Sequence, residues 1–282
     1  MTTDYKVTDT ELIAVADAIR TKGGTSAVLE WPTGYIDAID ALPGGGGGVT
    51  IVPFSSGTDE EIVAMIQAAH NGDIDLQQDG GWAVGDVRTI SVSAFTGGGS
   101  TAHAAQNVDI VITSFDDYQN CGCVMQFDFK GSLAEGQRFN SSGTNAGGYG
   151  SSEMKTTTLP ALVNALPTWL KDSLIEFSCL ASAGNRSSSI VTVTGNKLAL
   201  RSEIEVFGNV TNSYSGEGSH IPYYNNYLRR KKNMGSMTYA DYWWERSPGN
   251  YSDNGFCDVD GGGNPSADNA TNTRGLSPFG CL

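Results

Sequence analysis

The sequence predicts an α+β protein: a small helical unit, a glycine linker and a larger domain of short helices and strands. Three observations lead there. Apolar residues recur at helical spacing in some segments and alternate in others. A run of five glycines, Gly44 to Gly48, interrupts both patterns once. The composition is 39% hydrophobic and only 17% charged, with 36 Gly, which suits a loop-rich, strand-leaning globular chain. At 282 residues the chain is long enough to bury a sizeable core. The expected organisation is a helical module over 1–43, a linker over 44–48 and a large domain over 49–282.

The first element lies in "VTDTELIAVADAIR". Thr8 is placed as an N-cap with Glu11 three residues on, a capping box, and Val7 and Leu12 are placed for a hydrophobic staple. Leu12, Val15, Ala16 and Ile19 form one apolar stripe, and Gly23 and Gly24 end the helix. A second apolar set follows at Tyr35, Ile36, Ile39 and Leu42. Two helices this short do not bury both stripes alone, so self-association or docking is expected. The glycines after Pro43 have nothing to pack and are costly to order, which makes them a flexible linker.

Past the linker, "TDEEIVAMIQAAHNG" is another helix, boxed by Thr58 and Glu61 and ended by Asn71 and Gly72. The period then changes. Val108 to Phe115 and Val124 to Phe129 read as strands. "LPALVNALPTWLKDSL" reads as helix interrupted at Pro167. "LIEFSCL" and "IVTVTGNKLAL" read as strands, and "SEIEVFG" as a short helix or turn boxed by Ser202 and Glu205. No internal repeat is evident.

The formal charge of −14 argues against nucleic acid or an anionic membrane as partner. The run "RRKK" at Arg229 to Lys232 is expected to be a solvated or acid-pairing patch. The opening residues lack the basic and apolar regions of a signal peptide, so synthesis in a cytoplasm is expected. No apolar stretch approaches the ~18 residues needed to span a bilayer. Five Cys is an odd count, and the C-x-C pair Cys121 and Cys123 has no second pair at zinc-ligand spacing, so buried free thiols are expected. His70, His103 and His220 sit in no metalloprotease or nucleophile-elbow context, and no glycine run precedes a Lys-Ser/Thr phosphate cradle. No catalytic residue, cofactor or metal is therefore assigned. "DVDGGGNPSADN" opens like a calcium loop at Asp258 and Asp260. It then departs from that pattern, with Gly262 at the third oxygen position and Asn269 at the bidentate one. Solvated loop carboxylates are the favoured reading, with a weak site including Asp268 as the alternative.

The C-terminal segment carries the functional signal. Asn250, Tyr251, Asp253, Asn254, Asp258, Asp260, Asn264, Asp268, Asn269, Asn272 and Arg274 form a dense set of hydrogen-bonding side chains in residue types that favour loops. Trp243, Phe256, Val259, Leu276 and Phe279 punctuate them as apolar anchors. Planar hydrogen-bonding groups beside aromatic surface are what sugar recognition needs.

"YWWERSP", then "FCDV", a glycine-rich turn and "GLSPFGCL" resemble the C-terminal signature of a family of phage and prophage tail proteins. Upstream, "GGYGSSEMKTTTLPALVNALPTWLKDSL" and "KLALRSEIEVFG" resemble two further blocks of that family, so the likeness covers roughly residues 80 to 282. The N-terminal "ELIAVADAIRTKGGTSAVLEWPTGYIDAID" resembles a short module found at the start of tail and baseplate proteins. The resemblance implies a C-type lectin-like fold, similar to the variable receptor-binding proteins made with diversity-generating retroelements. It implies that Trp243, Arg246, Ser247, Phe256, Val259, Gly275, Pro278 and Phe279 are scaffold. Residues 249–254, Asp258, Asp260, Asn264, Ser266, Asp268, Asn269 and 272–274 would be the displayed positions. "SPFGCL" departs from the family by placing Gly280 between Phe279 and Cys281. The calcium-ligand motifs of sugar-binding animal C-type lectins are absent, so calcium-dependent sugar binding does not follow from the fold. The expected protein is a non-enzymatic homotrimer in the virion tail. Its head would bind a host-surface protein or glycan, and its N-terminal module would join other tail proteins. The alternatives are a tail-associated glycan- or peptidoglycan-degrading enzyme and a purely structural tail component.

Overall fold

A computed structural model describes residues 8–23, 29, 34–35 and 49–282. Val7, the Glu11 side chain, Ile36, Ile39, Leu42 and the Pro43–Gly48 linker lie outside the described residues. The described part is an α+β chain with several small antiparallel sheets.

Helix α1 (Asp9–Gly23) buries Ala16 and Ile19 against Tyr35, with Leu29 beside them. The Tyr35 hydroxyl donates to the Leu12 carbonyl at 3.0 Å. Val15 is corrected out of the stripe, since it is 47% exposed. At about 100° per residue Val15 falls on the flank of the line through Leu12, Ala16 and Ile19.

Helix α2 (Asp59–His70) begins at the Thr58–Glu61 capping box, with both reciprocal bonds formed. Its Ile62, Met65 and Ile66 enter the main core, near Phe54 and Trp82. The strands that follow are β1 (Val87–Val92), β2 (Phe95–Thr96), β3 (Ala102–His103), β4 (Gln106–Ser114), β5 (Gln126–Phe129) and β6 (Gln137–Arg138). Helices α3 (Leu159–Ala165) and α4 (Thr168–Ser173) are separated at Leu166 and Pro167, as the proline requires. Next come β7 (Phe177–Ser182), β8 (Ile190–Asn196), β9 (Leu198–Ala199) and helix α5 (Glu203–Phe207). The C-terminal part holds β10 (Lys232–Asn233), β11 (Ala240–Asp241), β12 (Trp243–Pro248), β13 (Gly255–Val259), β14 (Pro265–Asn269), β15 (Thr273–Arg274) and β16 (Phe279–Cys281).

The principal sheet runs β1-β4-β5-β16-β9, antiparallel throughout. Residues near the C-terminal end of the sequence thus form an interior strand, with Gly280 opposite Phe127 and Leu198. A Cβ on Gly280 would stand 2.7 Å from the Phe127 ring and 3.0 Å from Leu174. The glycine between Phe279 and Cys281 is therefore a packing requirement of this sheet. A second sheet, β12-β13-β14, carries the C-terminal segment on a frame whose first two strands are wholly buried. Its last strand, β14, lies half-buried at the edge.

Candidate ligand-binding face

Four expected scaffold residues, Trp243, Arg246, Phe256 and Phe279, are fully buried. The Trp243 indole donates to the Arg230 carbonyl at 2.8 Å. Phe256 stacks on Phe139 with ring centroids 3.6 Å apart. Phe279 lies 3.7 Å beneath the Arg201 guanidinium.

Two buried ion pairs brace this frame. Arg246 meets Glu205 with both guanidinium amines, at 2.6 and 2.8 Å, and donates also to the carbonyls of Leu180, Leu200 and Glu217. Glu205 closes the α5 capping box and accepts from the Tyr118 hydroxyl at 2.7 Å. Burial alone would raise the Glu205 carboxyl, but Arg246 and then Arg201 outweigh it and hold the carboxyl below its ordinary range. Arg201 pairs with Asp128 at 2.7 Å, and Asp128 accepts from Tyr224 at 2.6 Å. Each buried charge has its partner and its hydrogen bonds, the condition under which such pairs persist.

The run Arg229 to Lys232 differs from the solvated patch expected. Lys232 is buried and donates to the Phe129 carbonyl and Ser277 Oγ at 2.9 and 2.7 Å. Burial brings its amine down to about 8, with Asp128 opposing. Arg229 lies over Tyr223, Arg230 over Phe207 and Lys231 over Tyr227. Aromatic faces, rather than carboxylates, receive these three cations.

The expected display residues divide into three groups. Asp258 is corrected: it is buried on β13 opposite Ser266, where it accepts from Arg274 Nε at 3.0 Å. Burial outweighs that contact and brings its carboxyl up to about 6. The second group is held by its neighbours. Asp268 pairs with Arg274 Nη2 and accepts from Asn272 Nδ2 at 2.6 Å. Asn269 Oδ1 accepts from the Thr271 backbone and hydroxyl, and Asn250 Nδ2 donates to the Ser213 carbonyl at 2.9 Å. Asn254 Oδ1 accepts from the Ser252 hydroxyl. Asp260 accepts from the Asn264 backbone and side-chain amides and pins the Gly261–Gly263 turn. Those donors outweigh a burial penalty and lower its carboxyl. Arg274 stands between Asp258 and Asp268, so a guanidinium occupies the place a calcium loop would need.

The third group faces outward. Tyr251 is 58% exposed, with its hydroxyl 3.3 Å from the Ala267 carbonyl beside β14. Asp253 is exposed and meets Arg186 at 3.8 Å. Asn264 and Asn272 are exposed at the two ends of β14.

The aromatic part of the face comes largely from residues that sequence reasoning missed. Tyr242 lies over the Arg274 guanidinium at 4.6 Å. Tyr239 is 62% exposed, one residue before β11, and the Ala240 carbonyl abuts Gly261. The Tyr227 carbonyl borders Gly263. Tyr227, the Asp260–Asn264 turn, the Tyr239–Tyr242 segment, Arg274 and β14 with Tyr251 are thus linked by successive contacts. The spacing of 227, 239 and 242 carries no helical or strand period, and only the fold brings them to the turn.

Asn145 was also missed. Its side chain donates to the carbonyls of Ser252 and Gly255 at 2.9 and 2.8 Å and accepts from the Asn185 backbone at 2.8 Å. One amide therefore fixes the loop that presents Tyr251. Beside the face, a groove of about 610 Å³ runs between Asn107–Asp109, Lys130 and the Leu228–Lys231 segment.

Two of the three histidines are engaged in the framework. His103 is stacked on Phe95 and bonded to Gln137 at 3.0 Å. His220 sits between the Glu205 carbonyl and Asn225. No helix among the described residues is long and apolar enough to cross a membrane. Comparison of the chain with protein-family models, curated proteins and solved structures finds no match.

Proposed function

We propose that the chain is a receptor-binding protein of a phage or prophage tail, with a C-type lectin-like head that attaches to a host-surface protein or glycan. The observation that carries this reading is the division within residues 243–282. Large aromatics and paired charges are buried as a rigid frame, while Tyr251 and amides line its outer edge, with Tyr239 and Tyr242 just ahead of it. Such a surface offers large contact area with two rotatable side-chain bonds per tyrosine, so little entropy is lost on binding. The ordered sequence blocks that resemble tail proteins support the same reading. The groove lined by Lys130, Arg229 and Lys231 has, at about 610 Å³, volume for a small ligand such as a saccharide unit.

In this reading the N-terminal helical unit joins other tail proteins, and a homotrimer multiplies weak contacts into tight attachment. The test is binding of labelled full-length protein to host cells and to a glycan array. Replacing Tyr239, Tyr242 and Tyr251 together by Ala is expected to weaken attachment by at least about tenfold, given ~2 kcal/mol for a central aromatic anchor. Unchanged attachment by a triple variant with wild-type near-ultraviolet circular dichroism would sink the assignment of this face.

A further inference from the structure

We propose that Cys121, Cys123 and Cys281 form a three-thiolate site for a thiophilic divalent cation, with Zn²⁺ as the natural occupant. Their sulfur atoms all lie within 4.8 Å of one another. Two come from a loop before β5 and the third from β16, so the site exists only in the folded chain. The proposal stands apart from the host-attachment reading and uses none of its residues.

The loop is shaped to present sulfur. Gly122 has φ +83°, a left-handed conformation that leaves open space around its Cα. Asp117 Oδ1 accepts from the Gly122 and Cys123 amides at 2.8 and 3.2 Å. The Tyr118 amide donates to Cys123 Sγ at 3.3 Å, the kind of N–H···S contact that orients a metal-bound thiolate. Tyr118 is itself wedged edge-on against Phe177 and Phe279, which ties the loop to β16. Cys281 is held opposite Gln126, and Leu282 exchanges backbone bonds with Val124 and Met125.

Zinc–thiolate bonds of about 2.3 Å place tetrahedral sulfurs about 3.8 Å apart. The three thiols therefore need only a small inward movement. Cys121 is partly exposed while Cys123 and Cys281 are buried, which gives an entry side and room there for a water as fourth ligand. A disulfide uses two sulfurs at about 2.05 Å and strands the third, whereas a cation uses all three. Binding breaks three S–H bonds, forms three Zn–S bonds and releases three protons to solvent, with no change of oxidation state. Cys179 and Cys257 are buried outside this group and supply a contrast within the same chain.

The experiment is anaerobic titration of the reduced, metal-free full-length protein with Cd²⁺, followed by the ultraviolet thiolate-to-metal band. Zn²⁺ is then titrated against a chromophoric chelator. One equivalent of either ion is expected to saturate the protein, and Zn²⁺ is expected to raise the thermal midpoint. Cys121→Ser, at the partly exposed position, is expected to weaken Zn²⁺ binding at least tenfold and to abolish the thermal shift. Absence of a saturating band in the wild type would overturn the proposal without recourse to any variant. So would undiminished binding by Cys121→Ser, or an as-isolated mass lower by two hydrogens with a disulfide mapped to Cys281.

Discussion

Glu245 is fully buried, and neither carboxylate oxygen has a hydrogen-bond partner among the described residues. Burial first, then the carboxylates of Glu203, Asp258 and Glu217, push its acid far above the ordinary range, with Arg246 opposing. Glu217 is brought up to about 7 by burial, and Asp258 to about 6. A raised folded-state carboxyl binds its proton where the unfolded one has released it, so its contribution to stability falls as pH rises. The loss begins near the unfolded value of about 4.5 and proceeds at ~1.4 kcal/mol per pH unit per proton until the folded value is passed. Glu205 and Asp128 work in the opposite sense, since their lowered carboxyls contribute stability that disappears as pH falls below about 4. Maximum stability is therefore expected between about pH 4 and 4.5, measured as the urea midpoint across a pH series. Glu245→Gln cannot lose a proton, so its stability relative to wild type should climb between pH 5 and pH 8. A parallel pair of curves would show that folded Glu245 has already lost its proton by pH 5, as the unfolded chain has.

Among elements, β16 is tightly constrained by packing. Gly280→Ala places a methyl against Phe127 and Leu174 in a filled core, and a loss of about 1–3 kcal/mol is expected. A calorimetric midpoint within a degree of wild type would show that Phe127 can give way. The elements also mark what could be read before folding. The capping boxes at Thr58 and Ser202, the break at Pro167 and the buried Trp243, Phe256 and Phe279 were all legible, because they depend on neighbours a few residues away or on bulk apolarity. Asp258 was misplaced because an exposed and a buried carboxylate look alike in sequence, and only Arg274, brought across from β15, tells them apart. The tyrosine surface and the third thiol were invisible for the same reason: Tyr239 meets the Gly261 turn, and Cys281 meets Cys121, only through sheet pairing.

At the scale of the molecule, β16 sits between β5 and β9, which lie far apart in the sequence. A chain stopped before Phe279 retains every helix and nearly every strand, yet it is expected to accumulate as aggregate. The check is soluble yield and light scattering against the full-length protein. During synthesis β5 and β9 emerge early with unpaired backbone edges and wait for residues 279–281 to leave the ribosome. That interval is a window of vulnerability to edge-to-edge association and to chaperone capture. Without residues 279–281, β5 and β9 have no strand between them, and two backbone edges of the principal sheet stay open.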